Sequence, residues 1–297
     1  MATKILLGSV AALLLAGALS ACSPLRVINA VTPGSASEKN LDISYGSDPR
    51  NRLDIYRPRN AEGKGAAPVV VFFYGGSWNM GSRADYAFVG EALAARGIVT
   101  VLADYRLYPQ VRYPSFVEDS AQAVAWTLKD IQRYGGDPEK VFVMGHSAGA
   151  YNAAMVALDG RWLAAQGTSP TALRGWIGLA GPYDFLPIEN PDVRPVFFYP
   201  DSPPESQPVR HVTAAAPPAL LVASHTDKIV NATRNTGGLA TRLRGVAVPV
   251  DEVYFDSTSH ASLIGAFAWP LRGLAPVLDK VVEFVDSDGG RNVKMAR

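Results

Sequence analysis

The stretch Val141-Phe142-Val143-Met144-Gly145-His146-Ser147-Ala148-Gly149-Ala150-Tyr151-Asn152-Ala153-Ala154-Met155-Val156-Ala157-Leu158 runs from an apolar block, through a G-x-S-x-G pentapeptide, into a helix-favouring segment. Four successive apolar residues fit a strand buried on both faces, so the pentapeptide occupies a strand-to-helix turn. A serine at the apex of such a turn is held in a strained backbone conformation that only small neighbours tolerate. This accounts for Gly145, Ala148 and Gly149 and leaves the Ser147 Oγ exposed above the sheet, as in a nucleophile elbow. The same glycines would also suit a plain βα turn, so the rest of the chain decides between the two readings.

Outward from this turn the chain alternates strands and helices. Pro68–Phe73 and Ile98–Ala103 are continuous apolar runs, with a helical stretch from Tyr86 to Arg96 between them. Upstream, Leu41–Tyr45 and Arg52–Tyr56 alternate apolar and polar residues around Gly46-Ser47-Asp48-Pro49, which reads as an antiparallel hairpin. Helices are expected at 114–134, 148–159, 232–243 and 271–285, and strands at 141–144, 176–179, 219–223 and 250–255. Repeated βα units predict an α/β domain over 41–287, a doubly wound, mostly parallel sheet with helices on both faces. Residues 181–216 break the rhythm with eight prolines and the aromatics Tyr183, Phe185, Phe197, Phe198 and Tyr199. Such an irregular, cap-like insertion either covers the site and lines an acyl or alcohol pocket, or is a stiff excursion packing its aromatics for stability. Residues 288–297 are expected to form a disordered tail.

The first residues carry a different message. Lys4, the apolar run from Ile5 to Leu19 and Leu19-Ser20-Ala21-Cys22 fit a secretory signal over residues 1–21. The ending resembles a bacterial lipobox, which implies acylation at Cys22, the single cysteine of the chain. Ser23 is similar to the residue that follows the cysteine in lipoproteins sorted to an outer membrane. Residues 22–40, with Pro24, Pro33 and Gly34, are then expected to be a lipidated, flexible tether. The resemblance thus implies an exported protein anchored to a bacterial membrane, on the periplasmic side or at the surface if the envelope has two membranes.

A serine hydroxyl needs a general base, and the four histidines stand at 146, 211, 225 and 260. His146 lies within the elbow, His211 within the insertion ahead of any suitable acid, and His225 beside Asp227 after one strand. His260, five residues beyond the last core strand, remains as the base that would take the Ser147 proton and return it to a leaving alcohol. Asp227, after strand 219–223, is the expected acid that fixes the imidazole tautomer, with Asp256 on the His260 loop as the alternative. For the developing oxyanion, Tyr74-Gly75-Gly76-Ser77-Trp78 follows the strand at 68–73, where glycine lets the backbone approach a ligand. The amides of Gly76, Ser77 and Ala148 are the expected donors.

These motifs, with Asp104-Tyr105-Arg106-Leu107-Tyr108-Pro109, Tyr113-Pro114, Asp119, Gly135-Gly136-Asp137-Pro138 and Gly181-Pro182-Tyr183-Asp184, resemble the α/β-hydrolase superfamily over residues 41–286. Within it the resemblance is to the esterases related to hormone-sensitive lipase, feruloyl-esterase-like enzymes and kynurenine formamidase. It implies a serine carboxylesterase acting on a small-molecule ester, without a cofactor. Members usually carry His-Gly-Gly at the oxyanion loop, where this chain has Tyr74. Amide or formamide hydrolysis is the second enzymatic reading, and a noncatalytic binding module on a hydrolase scaffold is a third.

Composition narrows the alternatives. The formal charge is +1 and the basic residues are scattered, so nothing suggests nucleic-acid binding. Neither a metal-type His/Cys cluster nor a phosphate loop is present in the sequence, so no metal and no nucleotide cofactor is expected. With 48% hydrophobic residues among 297, the chain can bury a substantial core.

Overall fold

The computed structural model describes residues 24–34, 36–59 and 65–290. Its centre is an eight-stranded sheet in the order β1-β2-β4-β3-β5-β6-β7-β8. The strands are β1 (Ser37–Ser44), β2 (Arg52–Pro58), β3 (Ala67–Phe73), β4 (Val99–Ala103), β5 (Gly136–His146), β6 (Gly175–Leu179), β7 (Ala219–Ser224) and β8 (Val250–Phe255). β1 pairs antiparallel with β2, and β2 antiparallel with β4; every later pairing is parallel. Val69–Phe73 and Val141–Met144 are buried along their whole length, as the unbroken apolar runs require of strands covered on two faces.

The helices are α1 (Pro24–Val31), α2 (Ala87–Ala94), α3 (Ser115–Asp130), α4 (Ala148–Leu158), α5 (Gly160–Ala164), α6 (Gly238–Gly245), α7 (His260–Gly265) and α8 (Val277–Asp286). α3 packs on both α4 and α5, while α2 packs on α8, with an Arg96–Asp279 ion pair beside that contact. α4 is buried at every residue, which its run of alanines allows by bringing the helix axis close to the sheet. α4 approaches the sheet so closely that a Cβ on Gly149 would lie 2.0 Å from the carbonyl oxygen of Phe73 in β3, and one on Gly145 of β5 2.1 Å from that of Gly149. The two pentapeptide glycines therefore serve packing as well as the turn.

Three expectations need correction. Residues 24–31, read as part of a flexible tether, form α1: Leu25 and Ile28 pack against the core, and a helix of eight residues is too short to show sustained periodicity in sequence. β1 begins at Ser37, also inside that tether, because an outer strand with exposed positions lacks the apolar alternation that marks a buried one. At the other end, residues 288–290 are not tail but a turn closing α8. Asp288 and Gly289 take positive φ, and the Gly289 amide donates to the Phe284 carbonyl at 2.9 Å. The signal segment, Cys22 and residues 291–297 lie outside the described residues.

Candidate active site

Ser147 sits between β5 and α4 with φ 54° and ψ −122°, a conformation that places Oγ at the apex of the turn. Its amide donates to the Leu179 carbonyl of the neighbouring strand at 2.9 Å, which ties the apex to the sheet. His260, the first residue of α7, brings Nε2 to 2.8 Å from Ser147 Oγ. Its Nδ1 lies 2.7 Å from Oδ2 of Asp227. The other carboxylate oxygen of Asp227 accepts the amides of Ile229 and Val230 at 2.8 and 3.0 Å. Burial pushes the Asp227 carboxyl up, but the His260 hydrogen bond and charge and the two amides outweigh it and hold the group below its ordinary value. Asp227 is therefore an anion at any pH at which an imidazole can serve as base. A capping box at Ser259 and Ser262 fixes the first turn of α7 and with it the ring of His260.

Asp256, the alternative acid, is not brought to His260. It meets His225 Nδ1 at 2.7 Å on the surface, its side chain 85% exposed. His211 is likewise occupied elsewhere, with Nε2 at 2.6 Å from the Glu205 carbonyl oxygen. His146 is buried and its Nε2 lies 2.9 Å from the carbonyl oxygen of His260. Burial, then the proximity of His260, lowers its value to about 3, so the ring is neutral and Nε2–H is the donor. It thereby ties the His260 backbone to the end of β5.

The loop after β3 forms the opposite wall. Gly76, Ser77 and Trp78 all have positive φ, and a Cβ on Gly76 would stand 2.3 Å from the Met80 carbonyl oxygen. Gly76 and Ser77 line a cavity with Ser147, and Ala148 lines a second cavity that shares Ser77 and Ser147 with it. Tyr74 precedes this loop, and the structure shows how a tyrosine braces it. Its hydroxyl accepts from Arg50 Nη2 at 2.7 Å, its carbonyl accepts from the Tyr105 hydroxyl at 2.7 Å, and its ring stacks on Tyr105 with centroids 4.7 Å apart. Arg50 also donates to the carbonyls of Gly81 at 3.0 Å and Tyr105 at 2.9 Å, so one guanidinium joins both ends of the loop. Sequence reasoning missed Arg50, because a single arginine in a hairpin turn carries no local signal of what it reaches. A lysine cannot reproduce this fork. Arg50→Lys is expected to lower kcat by up to about 10²-fold with KM little changed, measured by steady-state kinetics; an unchanged kcat would remove Arg50 from any role in the loop.

The remaining motif residues brace the same region. Arg106 forms a forked pair with Asp119, and Arg83 bridges Asp42, Asp54 and Asp104. Trp78 Nε1 donates to Asn152 Oδ1 at 2.9 Å, linking the loop to α4.

The insertion divides its labour. Pro182, Phe185, Ile188 and Val193 line a cavity of about 240 Å³ that opens on Ser147 and Ala148. Phe197 instead packs into the core, 4.8 Å from Trp78 and 5.7 Å from Tyr113, while Phe198 and Tyr199 are exposed. The insertion thus both lines the cavity and packs into the core, with Phe185 at the junction, its ring 5.2 Å from that of Phe197. A second cavity, of about 360 Å³, shares Ser77, Ser147 and Ile229 with the first and is lined by Leu25, Gly76, Met80, Tyr86 and His260 among others. Among the described residues no group of His, Cys, Asp and Glu has the arrangement of a metal site.

The BD-FAE family matches residues 53–196. A probable isoprenylcysteine alpha-carbonyl methylesterase, ICME, of Oryza sativa subsp. japonica is 39% identical over 152 residues, 50% of this chain and 36% of that protein. Esterase LipC of Mycobacterium tuberculosis is 30% identical over 223 residues, 69% of this chain and 55% of that protein. The chain thus spans about a third to just over half of the length of these relatives. Among solved structures, esterase B from Lactobacillus rhamnosis, inhibited by a C4-C4 tributyrin phosphonate, aligns with a TM-score of 0.75 at 18% identity. The match covers 99% of this chain and 98% of that one and bears on the fold.

Proposed function

We propose that the chain is a member of the α/β-hydrolase superfamily, in its esterase and lipase branch, and a serine carboxylesterase acting on small to medium esters, a reading that the family match and the similarity to known esterases support. The observation that carries this reading is the unbroken chain of hydrogen bonds from Asp227 through His260 to Ser147 Oγ, at the meeting point of two cavities.

Chemistry follows from that chain. Asp227 fixes the tautomer with Nδ1–H, which leaves Nε2 free to take the Ser147 proton as Oγ attacks the ester carbonyl. The carbonyl oxygen becomes an oxyanion, for which the amides of Gly76, Ser77 and Ala148 are the donors at hand; each such donor is worth about 3 kcal/mol in the transition state. His260 then gives its proton to the leaving alcohol, and an acyl-enzyme remains on Ser147. Water repeats the sequence in the second half, releasing the acid and restoring Ser147. The test is hydrolysis of p-nitrophenyl acetate, butyrate and octanoate by the purified chain beside Ser147→Ala. Turnover that depends on Ser147 supports the reading, and a folded chain that hydrolyses none of the three refutes it.

We also infer that the protein is exported and anchored through an acylated Cys22. The support is sequence alone: the charged start, the apolar run Ile5–Leu19 and the small residues before Cys22. No helix among the described residues is long and apolar enough to cross a membrane. Cells fed labelled palmitate are expected to label the wild type and not Cys22→Ala; label that persists in the variant would place the lipid elsewhere.

A further inference from the structure

Two cavities meet at Ser147, and the path of the proton separates them. During acylation the Ser147 Oγ–acyl bond forms, the acyl–oxygen bond to the alcohol breaks, and the proton carried by His260 ends on that alcohol oxygen. The alcohol oxygen must then come within hydrogen-bond reach of His260 Nε2. Of the two cavities, the one of about 360 Å³ has His260 in its wall, whereas the one of about 240 Å³ has Ala148 and the insertion instead. The alcohol therefore belongs to the first and the acyl chain to the second.

Among the described residues, the alcohol-side cavity has one wall residue from outside the hydrolase core, Leu25 of α1. α1 is placed there by specific bonds. The Asn29 side chain donates to the carbonyls of Ala84 and Asp85 at 2.9 and 3.0 Å, and its oxygen accepts the Phe88 amide at 3.0 Å. These partners lie in the segment just beyond the oxyanion loop, so the helix is fixed relative to Gly76 and Ser77. Elsewhere the cavity rim is open: Met80 and Ile229, which line it too, are 62% and 69% exposed. A branched apolar side chain on a held helix facing an open rim is a stop for one side of the ligand.

We propose that Leu25 sets the size of the alcohol that this enzyme accepts, which makes α1 a specificity element of the site. The proposal rests on the esterase reading above. It favours esters of small apolar alcohols, and it separates alcohol selection, at α1, from acyl selection, at residues 182–193.

The test uses the full chain and two ester series. One holds the acyl group at acetate and varies the alcohol through ethyl, cyclohexyl and naphthyl; the other holds methyl alcohol and varies the acid through acetate, butyrate and octanoate. Leu25→Ala is expected to raise kcat/KM for the naphthyl over the ethyl ester by roughly tenfold, and Leu25→Trp to lower that ratio, with acyl ranking unchanged in both. Asn29→Ala, which frees α1 without touching the cavity wall, is expected to act in the direction of Leu25→Ala and guards against a variant that merely misfolds. A shift in the acyl series alone would show that the two sides are reversed, and no shift in either would show that α1 is no wall; each overturns the proposal. Wild type that neither hydrolyses any ester nor reacts with a fluorophosphonate overturns the esterase reading and this proposal together, a result distinct from the other two.

Discussion

Replacing Ser147 with alanine is expected to lower kcat on p-nitrophenyl butyrate by about 10⁶-fold and to abolish labelling by a fluorophosphonate, with circular dichroism and the melting temperature close to wild type. The size follows from the chemistry, because without Oγ no acyl-enzyme can form and the remaining donors act only on water attack. The fold should not suffer: Ser147 is tied to β6 through its amide, which alanine retains, and Oγ bonds only to the ring of His260. Residual turnover within tenfold of wild type would mean that another nucleophile is at work and would remove the serine mechanism.

The second large effect distinguishes the two candidate acids. Asp227→Asn keeps the shape of the side chain but removes the charge and can hold the wrong imidazole tautomer, so kcat is expected to fall by about 10⁴-fold. Asp256→Asn is expected to leave kcat near wild type, because that carboxylate faces His225 at the surface. Steady-state kinetics on the pair decides the matter. Equal losses in both variants, or the larger loss in Asp256→Asn, would contradict the hydrogen-bonded chain as the working one. The pH profile adds a check: because Asp227 is held below the ordinary carboxylate value, its protonation should not set the acid limb of kcat/KM.

How much of this was legible in the sequence follows from the range of each signal. Ser147 is announced by its own neighbours, since the turn and the close approach of β5 and α4 both demand small residues at fixed spacing. His260 was readable by elimination because histidines are few, and Asp227 because strand order places its loop beside that of His260. Arg50 was not readable: its partners Tyr74, Gly81 and Tyr105 are 24 to 55 residues away in the chain, and no local pattern encodes such reach. α1 was missed for a different reason. Its stability comes from Leu25, Ile28 and Asn29 docking on the domain, so a segment of two apolar contacts reads as linker until its partner surface is known. Inside the insertion, composition left open whether the aromatics cover the site or pack for stability. Backbone path alone separates Phe185 at the cavity from Phe197 in the core.

Ser147 and His260, the proposed nucleophile and base, stand on very different ground. Ser147 rises from β5, a central strand paired on both sides and fully buried from Val141 to His146. His260 hangs from the end of β8, the last strand of the sheet, paired only with β7 and partly exposed along its length. Edge elements open at lower free energy than the centre of a sheet. Heat or denaturant that loosens only this margin is expected to draw the imidazole from the serine while the sheet is still intact, so that activity falls before the circular dichroism of the core does.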